Sequence, residues 1–217
     1  MTELRVTGGA RIGRANATWP FATLTVNKDK LQLNATIIGN LVFKPDNIIS
    51  IVPYSGFISR GLKINHKVSE YNDPVVFWTF SSPVKLIKMI EQTGFLNNTG
   101  HLSKELEVSI ARAQSQGGFP IRRSAAIAIV VIWNILFLID FLNALGKKLD
   151  GPPLGHGAQL ALGFILVICI LLLTFEPARR LILKEGRTLA DIKKFVYFIM
   201  FISGFILTGI TLAHLKN

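Results

Sequence analysis

Cysteine is almost missing from this sequence. Cys169 stands alone among 217 residues, so no disulfide framework and no thiolate metal site can form within one chain. Set inside an apolar run, it reads as a small packing residue. Histidine is sparse too: His66, His101, His156 and His214 show no pair at helical spacing and no neighbouring cysteine, and neither a metal nor a cofactor is expected. Also missing are a phosphate-cradling glycine loop ending in Gly-Lys-Ser/Thr, a Gly-x-Ser-x-Gly elbow and a strand-linked dinucleotide fingerprint. No Ser/His/Asp set is singled out, so the chain reads as something other than an enzyme. Acidic residues are scarce: 13 Asp/Glu against 24 Lys/Arg give a formal net charge of +11 in a chain that is 50% hydrophobic. Apolar and basic residues must therefore be segregated.

Where the charge lies decides what it is for. Residues 1–121 carry thirteen Lys/Arg against eight Asp/Glu, spread without aromatic interleaving, a pattern that argues against nucleic acid as a partner. Residues 122–217 carry eleven against five, and all eleven Lys/Arg lie outside the apolar runs. Those runs, 124–145, 157–175 and 195–213, are 22, 19 and 19 residues long. At about 1.5 Å per residue each reaches roughly 28 to 33 Å, enough to cross a bilayer. They are apolar around the whole circumference, where a soluble core helix would keep a polar stripe.

Orientation follows from the ends of the runs. Met1-Thr2-Glu3-Leu4-Arg5 contains no apolar stretch, which predicts no cleavable signal peptide and a cytoplasmic N-terminus. Arg112, Arg122 and Arg123 precede the first span, and Arg179, Arg180, Lys184, Arg187, Lys193 and Lys194 lie between the second and third. Only Lys147 and Lys148 stand between the first two spans, and only Lys216 follows the last. The larger groups should face the cytoplasm, leaving the C-terminus outside.

Local signals mark the boundaries. Gly117-Gly118 can close one helix and Pro120 suits the first turn of another, so the first membrane helix is expected to begin near Pro120. After the second span, Arg179, Arg180 and Lys184 precede Gly186, which reads as a helix ending at that glycine, bent at Glu176-Pro177. Thr188 and Asp191 have capping spacing for the third helix, and Gly146 to His156 has a turn composition around Gly151-Pro152-Pro153. Gly157 with Ala161, and Gly204 with Thr208, are small enough for close helix approach. Asp140 is the costly residue. It lies 17 positions after Arg123, roughly 25 Å along a helix, near the outer interface. Hydration or attraction to Lys147 and Lys148 accounts for it there, and Asp140→Asn is then expected to leave insertion and folding intact. An interhelical or ion-pathway role alongside Asn134 is the alternative.

The N-terminal region has another texture. Trp19 to Val26 and Leu31 to Leu33 flank the turn residues Asn27-Lys28-Asp29-Lys30, which predicts a hairpin. Short strands are expected at Leu41 to Phe43, Ile48 to Val52, Gly61 to His66 and Val75 to Phe80. A helix from Ser82 to Thr93 follows, with Leu86, Ile87 and Ile90 on one face and Gly94 at its end. A second, from Ser103 to Gln116, places Leu102, Leu106, Ile110 and Ala113 along one stripe. Gly8-Gly9 reads as a flexible arm or turn.

The Trp19-Pro20 opening of a strand, the short-strand series, Arg60-Gly61-Leu62-Lys63-Ile64-Asn65-His66, the Val76-Phe77-Trp78 strand and the helix ending in Gly94-Phe95 resemble bacterial pleckstrin-homology-like or GRAM-like domains carried on small membrane proteins. The resemblance covers roughly residues 10 to 95 and implies an antiparallel β-sandwich or half-barrel closed by a helix. The whole chain is then an α+β membrane protein of a bacterial inner (cytoplasmic) membrane. A cytoplasmic β domain spans 1–100, a linker helix 101–119 and a three-helix transmembrane domain 120–217. The first hairpin holds only Lys28 and Lys30 with Asp29 between them, which departs from the basic cluster of phosphoinositide-binding members.

The resulting expectation is a membrane-anchored binding or scaffold module, with membrane lipids and a protein as partners. Its candidate contacts with an anionic membrane surface are Lys63, Lys67, Lys85, Lys88, Arg122, Arg123, Arg179, Arg180, Lys184, Arg187, Lys193 and Lys194. The alternative is a subunit of an oligomeric transporter or channel, a homo-oligomer among them, with Asn134 and Asp140 as its intramembrane polar residues.

Overall fold

Strands with apolar residues on alternate positions must turn one face to a common core, and the first of two structural units does so with a single curled sheet. The computed structural model describes residues 3–56, 59–146 and 155–215. It divides the chain into Met1–Pro120 and Ile121–Asn217. The first unit contains β1 (Leu4–Ile12), β2 (Ala15–Val26), β3 (Leu31–Asn34), β4 (Asn40–Phe43), β5 (Ile48–Ser55), β6 (Arg60–His66) and β7 (Val75–Trp78). All pairings are antiparallel, in the order β4-β3-β2-β1-β7-β6-β5. Of the two architectures expected, the half-barrel is therefore the one observed: β1 bonds to β2 on one side and to β7 on the other, joining both halves into one sheet.

The expected hairpin is β2–β3. The Asn27 side-chain oxygen accepts the backbone N–H of Asp29 and Lys30 at 3.0 and 2.9 Å, the local bonding that makes asparagine a turn residue. Three expectations need correction. Gly8 and Gly9 are no loose arm but the middle of β1, and a β-carbon at either would collide with Trp78. Trp19-Pro20 does not open β2 either, because the strand begins at Ala15. Gly8 faces Ala22 and Ala10 faces Ala17, so Pro20 falls in a bulge opposite Gly9, where a residue lacking an N–H is tolerated. β7 also stops two residues early, at Trp78, leaving Phe80 88% exposed.

Leu24, Leu33, Phe43, Leu62, Ile64 and Phe77 fill the concave side of the sheet. Helix α1 (Pro83–Gln92) closes it with Leu86 and Ile90, starting at a proline and followed by Gly94 at φ 76°. Helix α2 (Lys104–Ser115) is capped by Ser103, whose Oγ accepts the Leu106 N–H. It is held against β4 within this unit rather than left as a bare linker: Gln114 Nε2 donates to the Val42 carbonyl at 2.9 Å and to Asn47 Oδ1 at 2.8 Å, and Ile110 is buried.

The second unit holds α3 (Arg123–Gly146), α4 (His156–Thr174), α5 (Glu176–Ile182) and α6 (Leu189–Leu215). Among the described residues α3, α4 and α6 are long and apolar enough to span a membrane. α4 packs against both α3 and α6, and Ala158, Leu162 and Ile210 form the buried contact with α6. The first of these helices begins at Arg123, not near Pro120. Ile121 forms a β-bridge with Leu183, and the Arg122 N–H donates to the Ile182 carbonyl at 2.8 Å, so these residues are extended instead of helical. Phe175 is extended and a separate short helix begins at Glu176 with Pro177 in its first turn, making the expected bend a full break. That helix ends at Ile182, four residues before Gly186. Gly186, at φ 75°, instead serves a turn closed by the Arg187 N–H on the Lys184 carbonyl. Lys147, Lys148, Gly151-Pro152-Pro153 and Lys216 lie outside the described residues.

Candidate functional site

A break between two apolar helices leaves carbonyls without helical partners at one end and N–H groups without partners at the other, and polar side chains must serve both. Here arginines serve the carbonyls. Arg179 donates through Nε to the Leu172 carbonyl at 2.8 Å and through Nη2 to the Leu173 carbonyl at 2.9 Å, closing the end of α4. Arg122 Nε donates to the Leu183 carbonyl at 2.9 Å, fastening the start of α3 to the segment after α5. The Asp191 carboxylate accepts the Thr188 N–H at 2.8 Å at the start of α6, in keeping with the expected capping spacing.

These contacts wall a pocket of about 490 Å³ lined by Arg122, Arg179, Arg180, Lys184 and Arg187 and by the carboxylates Glu176 and Glu185. Arg180 grips Glu176 Oε1 one helical turn away at 2.6 Å, and that hydrogen bond and charge hold the Glu176 carboxyl below its usual range. Partial burial pushes the Lys184 ammonium pKa down, and the charges of Arg187 and Arg123 add to the shift. Positive charge is thus concentrated beyond what the two carboxylates balance. Six of the twelve basic residues singled out in the sequence meet at this one place, five lining the pocket and Arg123 close enough to act on Lys184.

The others do not join them as a single surface. Lys193 and Lys194 are exposed on α6, Lys193 with its ammonium 5.6 Å from the centre of the Tyr197 ring. In the first unit Lys63 is exposed between the buried Leu62 and Ile64, which places it on the convex side of β6. Lys85 and Lys88 stand on the outer face of α1, which covers the concave side, and Lys67 follows β6 in an exposed loop.

Asp140 bonds from one helix to the next, without Asn134 and through backbone partners that neither sequence expectation named. Its carboxylate accepts the backbone N–H of Gly155 at 3.0 Å, Gly157 at 2.8 Å and Ala158 at 2.7 Å, so α3 supplies the cap for α4. The glycines make room: a β-carbon at Gly155 would lie 2.6 Å from Asp140 Oδ1, and one at Gly157 would lie 2.5 Å from the Leu136 carbonyl. Asn134 takes no part, because its amide donates to the Val130 carbonyl of its own helix at 2.7 Å. Of the small residues expected at helix contacts, Gly157 and Ala161 are buried, whereas a β-carbon at Gly204 would meet nothing within 4 Å among the described residues.

His66 is buried against Phe43 and Tyr71 in the first unit, with Nε2 3.4 Å from an oxygen of the exposed Asp73. Burial drives its pKa below 6.5, outweighing the upward pull of the Asp73 charge and the Val68 backbone. The unfolded chain therefore takes up a proton at His66 before the folded one does. The stability conferred by the neutral ring is complete above about pH 6.5 and declines as the pH falls through the folded value. His66→Phe is expected to flatten this part of the acid profile. Hydrogen exchange of core amides in the sheet, compared between about pH 7.5 and about pH 5, would show equal slopes in variant and wild type if the ring does not titrate in this way.

A second pocket, of about 560 Å³, is lined by Trp19, Arg60, Trp78 and Phe80, with Trp19 and Phe80 in edge contact at 5.7 Å. Among the described residues no group of His, Cys, Asp and Glu is arranged to hold a metal ion. Compared with known proteins, the chain matches no family model, no curated protein and no solved structure.

Proposed function

We propose that this protein is a three-span membrane protein whose seven-stranded domain is a cytoplasmic binding module, held at the membrane to recognise a protein partner or anionic headgroups. The surface of α3 carries the proposal. Nowhere along its span is a residue buried, and Val130, Val131, Ile135, Leu138, Phe141 and Leu142 are all exposed. An apolar surface that encircles a helix is stable in hydrocarbon and not in water. The cations gathered at the start of α3 and between α5 and α6 support placing those ends in the cytoplasm. The pleckstrin-homology-like reading of the domain is supported by the succession of antiparallel strands followed by one amphipathic helix. β5, at the outer edge of the sheet and interrupted by Pro53, offers a strand edge to an extended protein segment. Asp140 and Asn134 are engaged with backbone, so the transporter reading loses the polar lining it relied on.

Alkaline extraction should leave the full-length protein in the membrane pellet. In a Cys169→Ser background, a cysteine replacing Lys148 should react with a membrane-impermeant maleimide in intact cells, and one replacing Lys104 only after permeabilisation. Release by alkali would end the membrane reading, and labelling in the reverse order would end the orientation.

A further inference from the structure

Helix α3 buries none of its span, and one amide side chain stands exposed in the middle of it. Asn134 lies 11 positions after Arg123. At about 1.5 Å per residue that is about 16 Å along the helix, close to the midplane of a hydrocarbon layer about 30 Å thick. Its Nδ2 donates one hydrogen to the Val130 carbonyl at 2.7 Å, and the side chain forms no other hydrogen bond among the described residues. One N–H and the Oδ1 acceptor remain, at a depth where neither water nor an acyl chain can serve them.

The position of this amide around the helix matters as much as its depth. Leu136 and Asp140 meet the glycines at the start of α4, and at roughly 100° per residue both lie about 120° or more around α3 from Asn134. Asn134 therefore belongs to a different face, shared with Ile127, Val131, Leu138, Phe141 and Leu145, all of them exposed. From Ile127 to Leu145 these six residues follow one another at intervals of four, three, four, three and four, the rhythm of a seam between two helices. Every side of α3 is apolar, so the apolar residues alone select no seam; the amide does.

Resting on the membrane reading above, we infer that α3 is the contact between two copies of this chain, paired through reciprocal hydrogen bonds between their Asn134 side chains. Copies of one chain enter the membrane in the same orientation, so the two α3 helices run parallel about a two-fold axis and each seam residue meets its own counterpart. After serving Val130, the amide keeps one donor and one acceptor and is complementary to itself. Each Asn134 gives its remaining N–H to the other's Oδ1, and both side chains are satisfied. A single asparagine in an apolar seam fixes register and partner for this reason. Acyl chains would cover the apolar residues equally well but offer the amide nothing, which makes a second α3 the occupant.

The test uses full-length protein in phosphatidylcholine vesicles, with energy transfer between copies labelled at the N-terminus followed as lipid dilutes them. Asn134→Leu should pair roughly tenfold more weakly than wild type, and Asn134→Gln, which keeps a donor and an acceptor, should stay within roughly threefold. In a Cys169→Ser background, oxidation should link Leu138→Cys copies into a dimer and leave Ile139→Cys, the next residue and off the seam, unlinked. Equal pairing of wild type and Asn134→Leu, no pairing at any dilution, equal linking at both cysteine positions, or a ladder of larger oligomers would each overturn the inference. Excess detergent separates the copies, and the single chain, in which Asn134 bonds only within α3, should melt alike in wild type and Asn134→Leu. Should the leucine variant fail to fold, the two cysteine positions decide the matter by themselves. Alkaline extraction reports on insertion separately, so a protein that stays in the membrane pellet yet never pairs refutes the seam and spares the anchor.

Discussion

Asp140→Asn is expected to loosen the α3–α4 hairpin by roughly 2–4 kcal/mol, against the unchanged folding that sequence depth alone suggests. The ionised carboxylate accepts three backbone N–H groups, at 3.0, 2.8 and 2.7 Å, and its charge lies at the positive end of the α4 dipole. Asparagine keeps one acceptor oxygen and turns an NH₂ group toward donors, so at least one N–H loses its partner and the charge is gone as well. Asp140 is only partly buried, so water can replace part of this, which puts the effect in the range given and not above it. Thermal unfolding in detergent should show the loss, and the amides of Gly157 and Ala158 should exchange faster in the variant. Asn134→Leu is the control, expected to shift stability by no more than about 0.5 kcal/mol, since that amide bonds only within α3. An Asp140→Asn protein with wild-type melting and unchanged protection at those two amides would remove the cap from the account of this hairpin.

Why the sequence located Asp140 yet left its partners unnamed is a matter of which atoms it uses. Its partners are backbone N–H groups, which every non-proline residue carries, so no residue type near 155–158 announces them. The available signal was the pair Gly155 and Gly157 around the start of an apolar run. One was read as turn composition and the other as packing, but both clear space for a carboxylate and a carbonyl arriving from α3. By contrast, the apolar runs were legible because nothing soluble explains a helix without a polar side. The α5 elbow was half legible. Pro177 marked the break, but the end of the helix was misplaced at Gly186, because the pairing of Ile121 and Arg122 with residues 182 and 183 is a long-range contact that local signals do not encode. The same pairing is what brings Arg122 to the pocket, so the cations could be named from the sequence but their convergence could not.

In the first unit, strands bounded by asparagine, proline and glycine turns could be read directly, and β2 through β7 were placed within a few residues. β1 escaped because two adjacent glycines usually punctuate a chain, and only the partner strand shows why they are needed inside one. This yields a test with opposite signs. By intrinsic preference, valine in a strand is worth about 1 kcal/mol over glycine, so in an unconstrained strand Gly9→Val would stabilise the domain. The structure requires the reverse. Gly9 faces Trp78 across the β1–β7 pairing, and a β-carbon there would overlap the indole ring and lie 2.8 Å from the Ala17 carbonyl on β2. The indole would have to leave its place, and the Ala17 carbonyl, which is backbone, cannot withdraw without opening the seam between β1 and β2, so Gly9→Val should cost roughly 2–4 kcal/mol. Gly9→Ala meets the same contacts with a smaller side chain and should lie between. Denaturant unfolding of the full-length protein, followed by hydrogen exchange at Leu24, Leu62 and Phe77, reads the result. A valine variant as stable as wild type would mean that β1 does not pass between β2 and β7, and the continuous half-barrel would have to be redrawn as two separate sheets.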